Sequence, residues 1–290
     1  MSNTSIIIEE RARDIGDFLV GRLLPFRKKR MVGPFIFIDH MGPSTIKEGS
    51  YLDIGQHPHI GLSTLTYLFE GEAIHRDSTG AVQRITPGSV NWMTSGSGAV
   101  HTERTPEDHR DGEARNMHGF QIWVALPKEK ENMPAEFHHI AKNALPEWQQ
   151  DNLTIKLIAG EAFGRKSPVP VHSHLFMLKV QAEEDTHLDF NGKLEGEIGI
   201  AVVEGTVTAC DETVDKGQML VSNAEGKCAF QVAKGSLLLI FGGKPFPEER
   251  NIWWNFVASD PETIEDAKKR WENGDFKMVP GETDVIPLPK

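Results

Sequence analysis

Short β-rich runs closed by turn residues recur about every ten residues along this chain, and that rhythm restricts its fold more than any other feature. Candidate strands are Ser5–Glu10, Pro34–Asp39, Leu62–Phe69, Ala73–Asp77, Val90–Thr94, Val100–Arg104 and Gly119–Ala125. After a looser stretch, Pro127–Gln150, come Leu153–Ala159, Leu175–Val180, Gly199–Val203, Thr206–Cys210, Gln218–Val221, Ala229–Val232 and Ser236–Phe241. No helical pattern separates them, so antiparallel pairing in an all-β fold is expected. One helix is expected near Asp260–Asn273. Asp260 can cap it, Pro261 suits its first position, and Ile264, Ala267 and Trp271 share a face before Gly274.

A weak repeat divides the strands into two sets. Tyr67-Leu68-Phe69-Glu70-Gly71-Glu72 and Ala201-Val202-Val203-Glu204-Gly205-Thr206 each read as an apolar strand, a Glu-Gly turn and a further strand. Each is followed by a second glycine leading a strand, Gly88-Ser89-Val90 and Gly217-Gln218-Met219. Two copies of one barrel are the expectation.

The first copy carries metal-ligand chemistry. In a strand, residues i and i+2 share a face. His57-Pro58-His59 presents two imidazoles together if that stretch is extended, and Pro58 favours the extended backbone this needs. His101-Thr102-Glu103 repeats the arrangement. On facing strands these pairs would aim three imidazoles and one carboxylate at a point, a set that binds a divalent transition metal and leaves positions open. The same offsets in the second copy give Asn191, Lys193, Phe230 and Val232, which are not a ligand set. Metal is expected in one barrel only.

Other residues rank below these. His172-Ser173-His174 has no second pair and reads as structural or exposed. Glu70 sits at a Glu-Gly turn and is a weaker ligand candidate than Glu103. His75-Arg76-Asp77 reads more readily as an outward polar strand end than as pocket lining. Asp39 and His40 are candidates for fixing an imidazole tautomer. Trp253-Trp254 reads as packing.

Composition excludes several classes. The 290 residues carry a formal charge of -11, which opposes direct nucleic-acid binding. No apolar run is long enough to span a membrane and no secretory signal is evident, so a cytoplasmic protein is expected. The two cysteines, Cys210 and Cys228, fit a reducing compartment. The basic run Arg27-Lys28-Lys29-Arg30 reads as a solvated loop, with a protein-partner patch as the alternative.

Gly55-Gln56-His57-Pro58-His59 and Gly88-Ser89-Val90 through His101 resemble the two cupin motifs. His57-Pro58-His59-Ile60-Gly61, Tyr67-Leu68-Phe69-Glu70-Gly71, His75-Arg76-Asp77-Ser78, Trp92-Met93-Thr94-Ser95-Gly96 and Val100-His101-Thr102-Glu103 are similar to the pirin family. Phe37-Ile38-Asp39-His40-Met41-Gly42, Gly242-Gly243-Lys244-Pro245-Phe246 and Ile252-Trp253-Trp254-Asn255-Phe256 extend the likeness. The resemblance implies a bicupin of two face-to-face jelly-roll barrels. It divides the chain into an N-terminal metal-binding cupin domain (1–135), a C-terminal cupin domain without metal (136–245) and a tail with a helix (246–290). It implies Fe(II), with Mn, Ni or Cu as alternatives, held by His57, His59, His101 and Glu103. Some pirins resemble quercetin 2,3-dioxygenases and others act as nuclear co-regulators. The first activity implies a flavonol-like substrate and O2, cleavage with loss of carbon monoxide, and Glu103 as general base. The second implies a non-enzymatic iron-binding regulator with a protein partner. Many members have another residue, often basic, at Ile60, so pocket polarity here is expected to differ.

Overall fold

The computed structural model describes residues 6–14, 19–190, 192–209, 212–223 and 230–289. Ser5, Asn191, Cys210, Cys228 and Ala229, named above, lie outside them. The architecture is all-β, with one α-helix among the described residues. The chain forms two compact units. One comprises Met1–Ala12, Gly21–Ile38 and Asn143–Phe246; the other comprises Arg13–Val20, Asp39–Lys142 and Pro247–Lys290.

The first unit is an antiparallel barrel with an apolar interior. Its larger sheet runs in the order Ile6–Glu9, Gln218–Asn223, Glu197–Glu204, Leu237–Gly243, Leu175–Ala182, Leu153–Ala162, Glu147–Gln150. The smaller runs Thr186–Leu188, Phe230–Val232, Thr206–Ala209, Glu212–Asp215. Phe176, Leu178, Ile200, Leu238, Phe230 and Val232 are buried in one cluster. Each such side chain contributes about 1.5–3 kcal/mol by leaving water.

The second unit repeats the plan, but beside an apolar cluster that includes Leu52, Leu68, Ile85 and Met117 it also buries His57, His59, His75, His101 and Glu103. One sheet has the order Asp53–His59, Ala99–Arg104, Ala73–Asp77, Val82–Ile85. The other has the order Glu136–Ile140, Val90–Thr94, Leu62–Glu70, Arg115–Ala125, and then the end of Phe35–Ile46. The repeated Glu-Gly turns match in conformation as well as sequence. Gly71 has φ +86° and Gly205 φ +78°. A Cβ at Gly71 would stand 2.6 Å from the Asn116 carbonyl oxygen, so both conformation and space call for glycine there.

The helix spans Pro261–Asn273. The Asp260 side chain accepts from the Glu262 N–H, and Gly274 ends the helix in a left-handed conformation. Ile264, Ala267 and Trp271 are its buried residues, and they pack with Phe256, Phe276 and Ile60. Trp253 and Trp254 lie against the same cluster, in the packing role expected of them. Beyond the helix the chain returns to the edge strand Asp53–His59. The Gln56 N–H donates to the Asp284 carbonyl (3.1 Å), and the Ile286 N–H donates to the Gln56 carbonyl (2.9 Å). The Val279 N–H donates to the Gln56 side chain (2.8 Å), while Arg104 on the neighbouring strand binds Glu282 (2.7 Å) and Asp284 (2.6 Å). An unpaired strand edge invites association, and here the tail covers it.

Two expectations are corrected. The looser stretch Pro127–Gln150 contains two strands, Glu136–Ile140 and Glu147–Gln150. Their side chains are largely polar or half-buried, so alternation of apolar residues does not mark them. Asp53–His59, missing from the candidate strands, is regular enough to pair along Ala99–Arg104. Gly55 and Pro58 disguise it, and proline is tolerated because this is an edge strand.

Candidate metal centre

His57 and His59 lie on Asp53–His59, and His101 stands directly opposite His57 on Ala99–Arg104. The two strands are hydrogen-bonded neighbours in one sheet; the expectation of strands facing each other is corrected accordingly. Between His57 and Ile54 the first strand carries one residue more than its partner, a bulge. The extra residue lets the His57 Nδ1–H donate to the Gly55 carbonyl at 2.8 Å.

The three rings converge. Their centroids are 4.3 Å apart for His57 and His101, 5.1 Å for His57 and His59, and 5.0 Å for His59 and His101. One nitrogen from each lies within 4.8 Å of the others, the arrangement of a metal site. The Nε2 atoms of His59 and His101 are 3.1 Å apart. Two neutral imidazole lone pairs at that distance need a cation or a proton between them. The His57 Nδ1–H donates to a carbonyl, so its Nε2 lone pair is free for a metal, while His101 Nδ1 faces the Nδ1 of another histidine, His75, at 3.3 Å.

Burial favours this state. It is the main cause that lowers the His57 pKa from 6.5 to about 4, against the Gly55 hydrogen bond. Burial, and then the neighbouring histidines, hold His59 and His101 well below the ordinary value. All three rings are neutral donors at neutral pH. The donor set fits a divalent transition ion of borderline softness.

Glu103 shares the inward face of its strand with His101 and is 8% exposed, but it is not part of the 4.8 Å cluster. The Thr66 hydroxyl reaches across to its carboxylate at 3.1 Å and to the Gln121 side-chain oxygen at 2.7 Å. Burial raises the Glu103 pKa, opposed by His75 and Thr66. Trp123, on the same strand as Gln121, meets His59 edge-on at 5.1 Å.

His75 is the residue that sequence reasoning misjudged. It is 2% exposed and points inward, and Asp77 is fully buried, so the reading of an outward strand end is wrong. Strand periodicity carried the signal: Ala73, His75 and Asp77 share one face, and Arg76 takes the other. His75 Nδ1 lies 3.3 Å from His101 Nδ1, and its Nε2 lies 3.0 Å from Asp77 Oδ2. Its ring stacks on Phe137 with centroids 4.6 Å apart.

The remaining candidates stand elsewhere. His40 is buried with its Nε2 3.0 Å from His118 Nε2 and its ring stacked on Phe120, so it pairs outside the three-histidine cluster. Glu70 accepts from Asn116 (2.9 Å) at an exposed turn. His174 is exposed and pairs with Glu195 at 3.1 Å. In the other unit, Phe230 and Val232 are core residues. Lys29 of the basic run binds Glu197, and Arg27, Lys28 and Arg30 are exposed. No described helix is long and apolar enough to cross a membrane.

Comparison with known proteins agrees with this arrangement. Residues 18–124 match the Pirin family and residues 177–277 the Pirin C-terminal cupin domain. A pirin-like protein of Caulobacter vibrioides is 43% identical over 289 residues, covering 98% of this chain and 99% of that protein. The crystal structure of a quercetin 2,3-dioxygenase from Acinetobacter baumannii superposes with a TM-score of 0.90 at 35% identity, covering 99% of this chain and 95% of that one. The bacterial pirin YhhW from Escherichia coli, solved in complex with nickel(II), shares the fold at a TM-score of 0.66 and 18% identity, covering 84% of this chain and 100% of that one. Both cupin halves and a relative matched end to end agree, and the chain belongs to the pirin family.

Proposed function

We propose that this chain is a metal-dependent dioxygenase of the quercetin 2,3-dioxygenase type, opening a flavonol ring with O2 and releasing carbon monoxide. The observation that carries the reading is the convergence of three buried neutral imidazoles, in a chain similar along its whole length to a quercetin 2,3-dioxygenase. His57, His59 and His101 would hold the ion, and Glu103, on the inward face beside His101, would be the fourth ligand. A redox-active ion there, iron by family resemblance and otherwise manganese, nickel or copper, would supply Lewis acidity toward a bidentate oxygen ligand and a path for electrons to O2.

The protein's own groups do the rest. Glu103 takes the proton of the substrate hydroxyl, and burial favours this by raising its proton affinity. The Thr66 hydroxyl holds the carboxylate in place before the transfer. Trp123 walls the site beside His59 and excludes water.

The test is direct. Protein loaded in turn with iron, manganese, nickel and copper is mixed with quercetin and oxygen, and the flavonol absorbance is followed. Oxygen-dependent bleaching with release of carbon monoxide is the expected result. If all four metals give none, the dioxygenase reading is lost and an iron-binding regulatory role replaces it.

A further inference from the structure

The metal-binding nitrogen of His101 is selected two residues away from the cluster. Asp77 stands opposite His101 in the paired strands, and His75 stands opposite Glu103. Asp77 Oδ1 accepts from the Thr79 N–H (2.8 Å), the Thr79 hydroxyl (2.6 Å) and the Ala81 N–H (3.2 Å), which fixes the carboxylate. Its other oxygen faces His75 Nε2 at 3.0 Å. A carboxylate only accepts, so that nitrogen of His75 carries the proton. In neutral His75 the Nδ1 is then an acceptor, and it faces His101 Nδ1 at 3.3 Å. His101 must place its proton on Nδ1, which leaves the Nε2 lone pair toward His59. Stacking on Phe137 keeps the His75 ring from turning away.

We propose that Asp77 and His75 are positioning residues forming a relay that dictates the tautomer of His101 and thereby its affinity for a metal. The inference rests on the metal-centre reading. The relay has a polarity: reversing the first hydrogen bond reverses the second. An asparagine at position 77 can turn its amide N–H toward His75 Nε2. The His75 proton then moves to Nδ1 and the His101 proton to Nε2, where it blocks the metal.

The experiment uses the full chain labelled with 15N-histidine, stripped of metal, and reads each ring nitrogen by two-bond 1H–15N correlation. Wild type is expected to show His75 protonated on Nε2 and His101 on Nδ1. Asp77→Asn is expected to interchange both. Cobalt(II), used as the probe and titrated against a chelator, should bind Asp77→Asn about 10–100-fold more weakly than wild type, the usual cost of losing such an outer partner. His75→Gln keeps an oxygen that can accept from His101 Nδ1–H and should hold cobalt(II) within a few-fold of wild type; His75→Leu should not. A purely structural role would weaken Gln and Leu variants alike. The proposal is overturned if His75 carries protons on both nitrogens, if His101 keeps its tautomer in Asp77→Asn, or if Gln and Leu behave alike. Wild type that binds no cobalt(II) would overturn the metal-centre reading, whereas the nitrogen shifts of the metal-free chain decide the relay by themselves.

Discussion

The two barrels are built with one grammar, but one is apolar throughout its main cluster and the other sets buried histidines beside its apolar residues. Both close a strand with Glu-Gly, and both glycines take a left-handed conformation. In one, Phe230 and Val232 pack among leucines and isoleucines. In the other, the matched strand carries His101 and Glu103, which face His57 and Thr66. The backbone plan therefore does not decide whether a cupin barrel buries apolar side chains or a histidine cluster; the inward positions of two neighbouring strands do. Filling a barrel with apolar side chains yields stability directly, whereas filling it with imidazoles forgoes that and leaves donors whose charge is suppressed by burial.

The largest expected effect removes the difference outright. In a His57→Ala/His101→Ala double variant, metal content measured by elemental analysis should fall from about one ion per chain to near zero, since two of three nitrogen donors are gone. Full retention would place the ligands elsewhere, with His172 and His174 the next suspects. Glu103→Gln should separate binding from chemistry. The amide still offers an oxygen but is not basic, so metal content is largely kept while flavonol turnover drops about 10²–10⁴-fold. Unchanged turnover would mean that Glu103 is not the base.

The apolar barrel has its own test. Phe230→Ala should cost about 3–5 kcal/mol, read from the denaturation midpoint of that unit, and leave metal content untouched. A loss of metal would show that the barrels are not energetically separate. The smallest effect is a pH dependence confined to the histidine barrel. In chelator-treated protein, His57 has a folded pKa of about 4 against 6.5 for the ordinary group, so between those values the unfolded chain binds more protons. Stability should rise with pH across that window and be lost as pH falls through it, by about 3 kcal/mol from His57 alone. Urea unfolding at a series of pH values checks this; a flat profile would mean that the ring is solvated.

The histidine cluster was legible because i, i+2 spacing is local: two residues suffice to put His57 and His59 on one face. The pairing of their strand with Ala99–Arg104 was legible only as a coincidence of two motifs, since sequence spacing carries no register. His75 was misread because a polar residue on a strand has two equally good explanations, solvent or a buried partner, and only its neighbours choose. Those neighbours, His101 and Phe137, come from distant segments. Asp53–His59 was hidden for the converse reason: Pro58 favours extended backbone but lacks a ladder N–H, Gly55 adds no apolar alternation, and the covering tail that pairs with the strand arrives far later in the chain.

That last contact has a consequence for synthesis. Gln56, beside His57, finds its side-chain partner 223 residues onward at Val279. At roughly 5–20 residues per second, the ribosome needs about 10–45 s to translate that interval. For most of it the nascent chain contains His57, His59 and His101, while the outer edge of the strand bearing the first two lies bare. A chain stopped before residue 279 would contain all three clustered histidines without the segment that covers the edge of their strand.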